Sequence, residues 1–157
     1  MNLIGEYQVA IDNKGRLRLP TALLRQLNPD TGGGSYTFVV NRGFEKCLTL
    51  YPKSVWDAIT ERLGRLNRFN DRNRMFLRSF YLGASQLETD TADRVLLPKP
   101  LMDYAGLDAD AILVSMEDRV EIWSPDDYQK MLQINPNDFA DLANQVMGGE
   151  PDGLVEF

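Results

Sequence analysis

Three basic residues near the amino terminus surround one glycine: Lys14 precedes Gly15, and Arg16 and Arg18 follow it. Cationic side chains of this kind bind anions such as phosphate groups. Gly15 is free to adopt a positive φ, so residues 12–15 predict a short hairpin turn. Asp12 is expected to close the turn by accepting hydrogen bonds through its own side-chain oxygen. The segment therefore predicts a narrow finger that holds three cations.

Alternating residues predict a strand on each side of this turn. Tyr7, Val9 and Ile11 alternate with polar residues, which is the period of a half-buried strand. Leu17 and Leu19 alternate with the two arginines. The second strand therefore carries its arginines on one face and its leucines on the other.

The pattern that begins at Asp12 returns at Asp90, 78 residues later, which indicates an internal repeat. Residues of the first copy match residues of the second in the same order: Asp12, Arg16, Leu17, Leu19 and Pro20 correspond to Asp90, Arg94, Val95, Leu97 and Pro98. Each copy predicts a strand, a hairpin turn, a strand, a short helix, and two further strands joined by a turn.

Longer helices follow the repeats. Apolar residues recur at helical spacing from about Ser54, and Asp71 is expected to cap a second helix of the insert. Residues 135–136 open a last helix with its apolar residues on one side. The chain is thus expected to divide into a first repeat over residues 5–53, a helical insert over 54–82, a second repeat over 83–126, and a C-terminal helix with a flexible tail over 127–157.

Charge is distributed unevenly along the chain, whose net charge is −6. Residues 1–87 contain 13 basic against 7 acidic residues, whereas residues 88–157 contain 4 against 16. This asymmetry indicates a basic working face with acidic surface elsewhere. A solvated surface whose charges happen to segregate is the alternative.

Several classes of site are excluded by composition. The chain has no histidine and one cysteine, so it has no Ser-His-Asp or Cys-His relay, no intramolecular disulfide and no Cys/His zinc cluster. We therefore expect no metal, no cofactor and no small-molecule substrate. Cys47 is expected to be a buried thiol. Asp12 and Asp90 could be imagined as paired catalytic carboxylates, but no metal-binding cluster and no histidine accompany them in the sequence. We therefore expect that the protein is not an enzyme.

No apolar run approaches the roughly 20 residues that span a bilayer. The amino terminus shows no basic region followed by a long apolar one, so no secretory signal is visible. A cytoplasmic location without membrane association is therefore expected.

The two hairpin motifs, residues 78–84 and residues 104–107 together resemble the MraZ family of bacterial transcriptional regulators. The resemblance covers roughly residues 1–132. It implies an α+β fold: a swapped-hairpin AbrB-like (SpoVT/AbrB) β-barrel formed by the two internal repeats, with packed helices. It also implies ring-shaped homo-oligomers that bind double-stranded DNA at repeated boxes upstream of a division and cell-wall gene cluster, usually repressing it, and hence association with the nucleoid.

In that family the hairpin is the DNA-contacting element, which carries over to Asp12, Lys14, Gly15 and Arg16. The major groove of DNA admits a two-stranded ribbon, and an arginine can bind guanine through two hydrogen bonds. We expect Arg16 to read a base, and Lys14 and Arg18 to hold phosphates. Gly15 is expected to allow close approach of the backbone to DNA.

The second hairpin departs from the family pattern. Asp93 stands where the first copy has glycine, and its carboxylate repels phosphate. Leu96 stands where the first copy has Arg18. We therefore expect Asp90 and Arg94 to serve mainly the structure of their turn.

Two questions stay open. Residues 62–78 contain six arginines against Asp71 alone, and this helical insert could support DNA phosphates or pair with acidic surface of a neighbouring subunit. The whole chain could instead be an oligomeric assembly or protein-interaction module without sequence-specific DNA binding.

Overall fold

The computed structural model describes residues 1–27 and 35–148. The expectation of a flexible tail falls on residues from 149 onward, which lie outside this range. The chain divides into two compact units, Met1–Pro125 and Asp126–Phe157. The elements of the first repeat and the insert are β1 (Glu6–Ala10), β2 (Arg16–Arg18), α1 (Thr21–Leu24), β3 (Thr37–Arg42), β4 (Leu48–Pro52), α2 (Lys53–Leu63) and α3 (Asp71–Tyr81).

The second repeat follows the same order of strands. Its elements, with the two helices that follow them, are β5 (Ser85–Glu88), β6 (Arg94–Leu96), α4 (Lys99–Ala105), β7 (Asp110–Met116), β8 (Arg119–Trp123), α5 (Pro125–Met131) and α6 (Pro136–Met147). No helix among the described residues is both long and apolar enough to cross a membrane.

Strands pair between the repeats and not only within them. One antiparallel sheet has the order β1-β7-β8-β4-β3-β5, so the first strand of each repeat pairs with the third strand of the other. The second strands, β2 and β6, form a separate two-stranded sheet, which we call the ribbon. This exchange of hairpins confirms the α+β swapped-hairpin fold.

The ribbon connects the two edges of the large sheet. β1 and β5 are its edge strands, and each continues through a tight turn into a ribbon strand. A bridge between Ile11 and Leu17 joins the first hairpin further. The strands therefore close around one core, to which both sheets contribute.

The inward face of the ribbon lies at the centre of that core. Leu17 pairs in register with Val95, and these side chains are 0% and 1% exposed. The same cluster contains residues of both repeats, among them Leu19, Val40, Leu50, Leu97, Leu113 and Ile122. Since apolar burial is the dominant favourable term in folding, the two repeats form one cooperative unit.

The insert packs on the sheet through aromatic rings. Trp56 of α2 stacks on Phe80 of α3 with ring centroids 5.5 Å apart, and Trp56 also contacts Tyr51 of β4 at 5.3 Å. Asn70 caps α3, since its side chain accepts hydrogen bonds from two backbone N–H groups of the first turn. The prediction that Asp71 is the cap was wrong, because Asp71 is already the first helical residue.

Replacement of Leu17 by alanine tests the shared core. Truncation of a fully buried leucine lowers the free energy of unfolding of the protein by about 2–5 kcal/mol, because it leaves a cavity. Leu96 lies on the outer face of the ribbon at 55% exposure, so Leu96→Ala is expected to change stability by no more than about 0.5 kcal/mol. Urea titration of both variants measures the difference, and equal effects would contradict the inward and outward assignment.

Candidate nucleic-acid interface

The first turn, residues 12–15, is built around the carboxylate of Asp12. Its Oδ1 accepts hydrogen bonds from the backbone N–H of Lys14 at 2.9 Å and of Arg16 at 2.8 Å. The backbone N–H of Gly15 donates to the carbonyl oxygen of Asp12 at 3.0 Å. Gly15 has a φ of +86°, which a residue with a side chain rarely adopts.

The side chain of Arg16 belongs to the same arrangement. Its Nε donates to Oδ2 of Asp12 at 2.8 Å, and each side chain is about one-third exposed, at 33% and 34%. The backbone N–H of Arg16, followed by its guanidinium, lowers the pKa of Asp12 below its ordinary value of 3.8. Asp12 is therefore ionised, and its carboxylate holds the guanidinium of Arg16 at the Nε atom.

Gly15 is buried and not presented on the surface. A Cβ at this position would lie 3.2 Å from Sδ of Met102 and 3.3 Å from the carbonyl oxygen of Leu97. The glycine is thus required by the turn and by its packing against the other repeat.

The second turn, residues 90–93, repeats these contacts. Oδ1 of Asp90 accepts from the N–H groups of Ala92 and Arg94 at 2.9 Å, and Nε of Arg94 donates to Oδ2 at 2.8 Å. Asp93 adopts a φ of +60° in place of the glycine. Aspartate tolerates this left-handed conformation better than most residues, so the turn keeps its geometry without glycine.

One backbone hydrogen bond ties each turn to the opposite repeat. The N–H of Leu97 donates to the carbonyl of Gly15, and the N–H of Leu19 donates to the carbonyl of Asp93, both at 2.9 Å. The turns therefore sit at the two ends of the ribbon in a fixed relation.

The outer face of the ribbon is basic. With Leu17 and Val95 inward, alternation places Arg16, Arg18, Arg94 and Leu96 on the other face. Arg18 pairs in register with Arg94, and Arg16 pairs with Leu96. Arg16 and Arg94 each pair with the aspartate of their own turn, whereas Arg18 forms no ion pair within the described part of the chain and is free to bind an anion at this face.

The two ends of the ribbon differ in charge. Lys14 is exposed in the first turn, whereas the second turn has Ala92 at the equivalent position and the carboxylate of Asp93 beside it. Of the expected site residues, Lys14 and Arg16 thus lie at the end of the ribbon that carries the first turn, whereas Arg18 lies opposite Arg94 at the end nearer the second turn. Arg94 joins this face from the other repeat, which local sequence reasoning missed because only the register of β2 with β6 places it there.

One group of possible metal ligands occurs among the described residues. A carboxylate oxygen of Glu45, Sγ of Cys47 and a carboxylate oxygen of Glu121 lie within 4.8 Å of one another. Burial, with the Glu121 and Glu45 carboxylates adding to it, raises the pKa of the Cys47 thiol to about 12. Metals bind the thiolate, so this protonated thiol is a poor ligand at neutral pH. Cys47 is 0% exposed, which confirms it as a buried thiol.

The two turn aspartates are each engaged within their own turn. Asp12 and Asp90 each bind the arginine and the backbone of their own turn, which occupies both oxygens of each carboxylate.

Stability in acid tests the two turn carboxylates. Hydrogen bonds from the turn backbone lower the pKa of both Asp12 and Asp90 in the folded state. Their contribution is therefore present above the ordinary pKa of 3.8 and is lost as the pH falls through the lowered values. Urea unfolding at a series of pH values below 5 should show a shallower acid decline for the Asp12→Asn, Asp90→Asn double variant than for wild type. An unchanged decline would contradict the assignment.

The reactivity of Cys47 is a second test. Since the thiol is buried and its pKa is raised to about 12, a thiol-specific reagent at neutral pH should label no group in the native protein. The same reagent should label one thiol in guanidinium chloride, because the chain has a single cysteine. Rapid labelling of native protein would refute the burial of this residue.

Comparison with known proteins identifies the family. A family model described as "MraZ protein, putative antitoxin-like" matches the chain twice, over residues 3–79 and 80–147. Transcriptional regulator MraZ of Christiangramia forsetii is 43% identical over 156 residues, which cover 98% of this chain and 99% of the relative.

Two further relatives bear the same name. The protein of Flavobacterium psychrophilum is 40% identical, with coverage of 96% of this chain and 94% of the relative. That of Syntrophomonas wolfei is 35% identical, with coverage of 92% and 96%. These matches span both hairpins and confirm the resemblance drawn from the motifs. The chain belongs to the MraZ family of transcriptional regulators.

Proposed function

We propose that this chain binds double-stranded DNA through the outer face of its ribbon and represses transcription at repeated boxes upstream of a division and cell-wall gene cluster. The single observation that carries the DNA contact is the placement of Arg16, Arg18 and Arg94 on one face of a two-stranded ribbon. The major groove of B-DNA, which is about 12 Å wide, admits a two-stranded ribbon.

Arg16 is the residue that reads sequence in this proposal. A guanidinium has five N–H donors, and the bond from Nε to Asp12 uses one of them. Four donors stay available for a base edge, and the ion pair reduces the freedom of the side chain before binding. Fixed geometry of this kind favours two parallel hydrogen bonds to guanine O6 and N7.

The neighbouring cations position the protein on the duplex. Exposed Lys14, in the first turn, and exposed Arg18, opposite Arg94 in the ribbon, are assigned to phosphates, and Arg94 supports the same backbone from the second repeat. At the other end of the ribbon, in the second turn, the carboxylate of Asp93 carries a negative charge. The first turn therefore leads the contact, and Asp90 and Arg94 also keep the second turn in shape.

Assembly reconciles this contact with the acidic net charge of −6. One finger binds weakly, but a ring-shaped homo-oligomer presents several fingers to tandem boxes, and the later contacts benefit from a high effective concentration. Only the finger face must then meet DNA. The proposal places the protein in the cytoplasm at the nucleoid and requires no cofactor, metal or small-molecule substrate.

Segments of the chain take separate parts in this proposal. The repeats over residues 5–53 and 83–126 form the DNA-binding barrel. The insert over 54–82 and the C-terminal part over 127–157 serve assembly. A pure assembly module is the second candidate function, and the exposed apolar residues of α6, among them Phe139 and Leu142, favour it.

A DNA titration separates the two candidates. Binding of wild type, Arg16→Ala and Arg18→Ala is measured on the duplex upstream of the chain's own gene and on a scrambled duplex, at several salt concentrations. Arg16→Ala is expected to lose roughly 1–3 kcal/mol on the specific duplex and most of its preference. Arg18→Ala should weaken both duplexes alike and reduce the salt slope by about 0.9 for each lost phosphate contact.

Arg25→Ala is the matched control, because Arg25 is an exposed arginine outside the ribbon. It should bind as wild type does. The oligomeric mass of every variant is measured beside its affinity, so that a loss of assembly is not taken for a loss of contact. Equal binding of wild type to both duplexes would reject sequence-specific recognition and favour the assembly module.

A further inference from the structure

Helix α6 exposes an apolar stripe along its whole length. Phe139, Leu142 and Val146 are 64%, 49% and 40% exposed, and every residue of the helix is exposed. With Ala143 these residues occupy positions i, i+3, i+4 and i+7, which is the anchor pattern of a helix that docks in a groove. A helix of 12 residues is marginal in water without such a partner.

The first unit has a groove that fits this helix. Its volume is about 510 Å³, and it lies against α2, α3 and β4. Six apolar side chains line it: Phe44, Ile59, Leu63, Leu66, Phe76 and Phe80. Phe44 is 81% exposed and Phe76 is 42% exposed, so this apolar surface of the first unit is open to water.

A second cavity of about 240 Å³ extends the groove. It shares Phe44, Phe76 and Phe80 with the first and is completed by Arg42 and Tyr104. The hydroxyl of Tyr104 has one O–H to donate, and the carbonyls of Gly43 and Glu45 share it at 3.3 Å and 3.2 Å, which holds the loop that carries Phe44. The groove is therefore formed in advance and can accept more than one apolar anchor.

The two surfaces are opposite in charge. Arg62 lines the groove and, within the described part of the chain, forms no ion pair. The segment around it, residues 62–78, contains six arginines and one aspartate. Residues 131–157 contain five acidic residues and no lysine or arginine, and Asp138 directly precedes the first anchor, Phe139.

We propose that α6 of one copy docks its apolar stripe in the Phe44 groove of a second copy of this chain. A helix that enters a groove on the next copy forms a head-to-tail contact, which closes into a ring if the rotation allows it. The inference deepens the proposed function, since it rests on the homo-oligomer proposed there and names the surfaces that join its subunits.

The test replaces one anchor on each side of the contact. Phe139→Glu places a charge in the stripe and Phe44→Glu places one in the groove. Both side chains are exposed, so the fold of each copy should be kept. Each variant is expected to weaken subunit association about 30-fold or more, the effect of losing a central anchor. Native mass spectrometry and light scattering over a range of concentrations measure the assembly.

Asn144→Glu is the matched control, because it adds the same charge to the same helix on the face opposite the stripe. It should keep the wild-type mass. A mixture of Phe139→Glu and Phe44→Glu gives a sharper result: one copy retains the groove and the other the helix, so the mixture should form a discrete pair and no ring.

Each remaining outcome overturns the inference. The inference is overturned if the wild-type protein stays monomeric. It is also overturned if Phe139→Glu keeps the wild-type mass, which would place the helix on its own chain or on another partner. Equal disruption by Asn144→Glu, or a mixture of the two variants that forms no pair, overturns it as well. The DNA titration on wild type reports separately on the proposed function. If both hold, Phe139→Glu should lose at least about 100-fold in affinity for tandem boxes and little for a single box.

Discussion

The pairing of β2 with β6 is the constraint on which the rest of the structure depends. Neither repeat can complete its own finger, because the carbonyl of Gly15 takes its hydrogen bond from Leu97 and the carbonyl of Asp93 takes its own from Leu19. The inward pair of Leu17 and Val95 fixes the register. A shift by one residue would bury the arginines and expose the apolar side chains, so the basic face and the core are specified together.

The aspartate–arginine pair of each turn links this register to recognition. Asp12 satisfies two backbone N–H groups and still holds the Nε of Arg16, so one carboxylate shapes the turn and orients the cation. The second turn retains this geometry although Asp93 replaces glycine. The replacement therefore changes charge and leaves shape intact.

Features of this fold that depend on a few adjacent residues could be predicted from the sequence, and features that depend on distant residues could not. The recurrence of Asp12 at Asp90 predicts both turns and their strands, because hairpin chemistry is contained in a few adjacent residues. The cap of α3 was misplaced by one position, since Asn70 and Asp71 are both good capping residues and periodicity does not separate them. Alternation says which face a side chain takes and not which strand lies beside it. The opposition of Arg18 and Arg94 thus needed the register itself.

The least predictable surface is the Phe44 groove, because it unites a loop after β3 with helices far along the chain. Trp56 of α2 is stacked on Phe80 of α3, and Phe80 in turn lines the groove. Docking of α6 in the groove of a second copy would explain why basic and acidic residues are concentrated in different halves of the chain. The basic half of the chain carries both the finger and the groove, and the acidic half carries the helix that fits the groove. An acidic end that occupies the basic groove of a neighbour would offset the positive charge of that groove. The exposed cations Lys14 and Arg18 would then remain to attract DNA, so assembly itself would direct DNA to the ribbon.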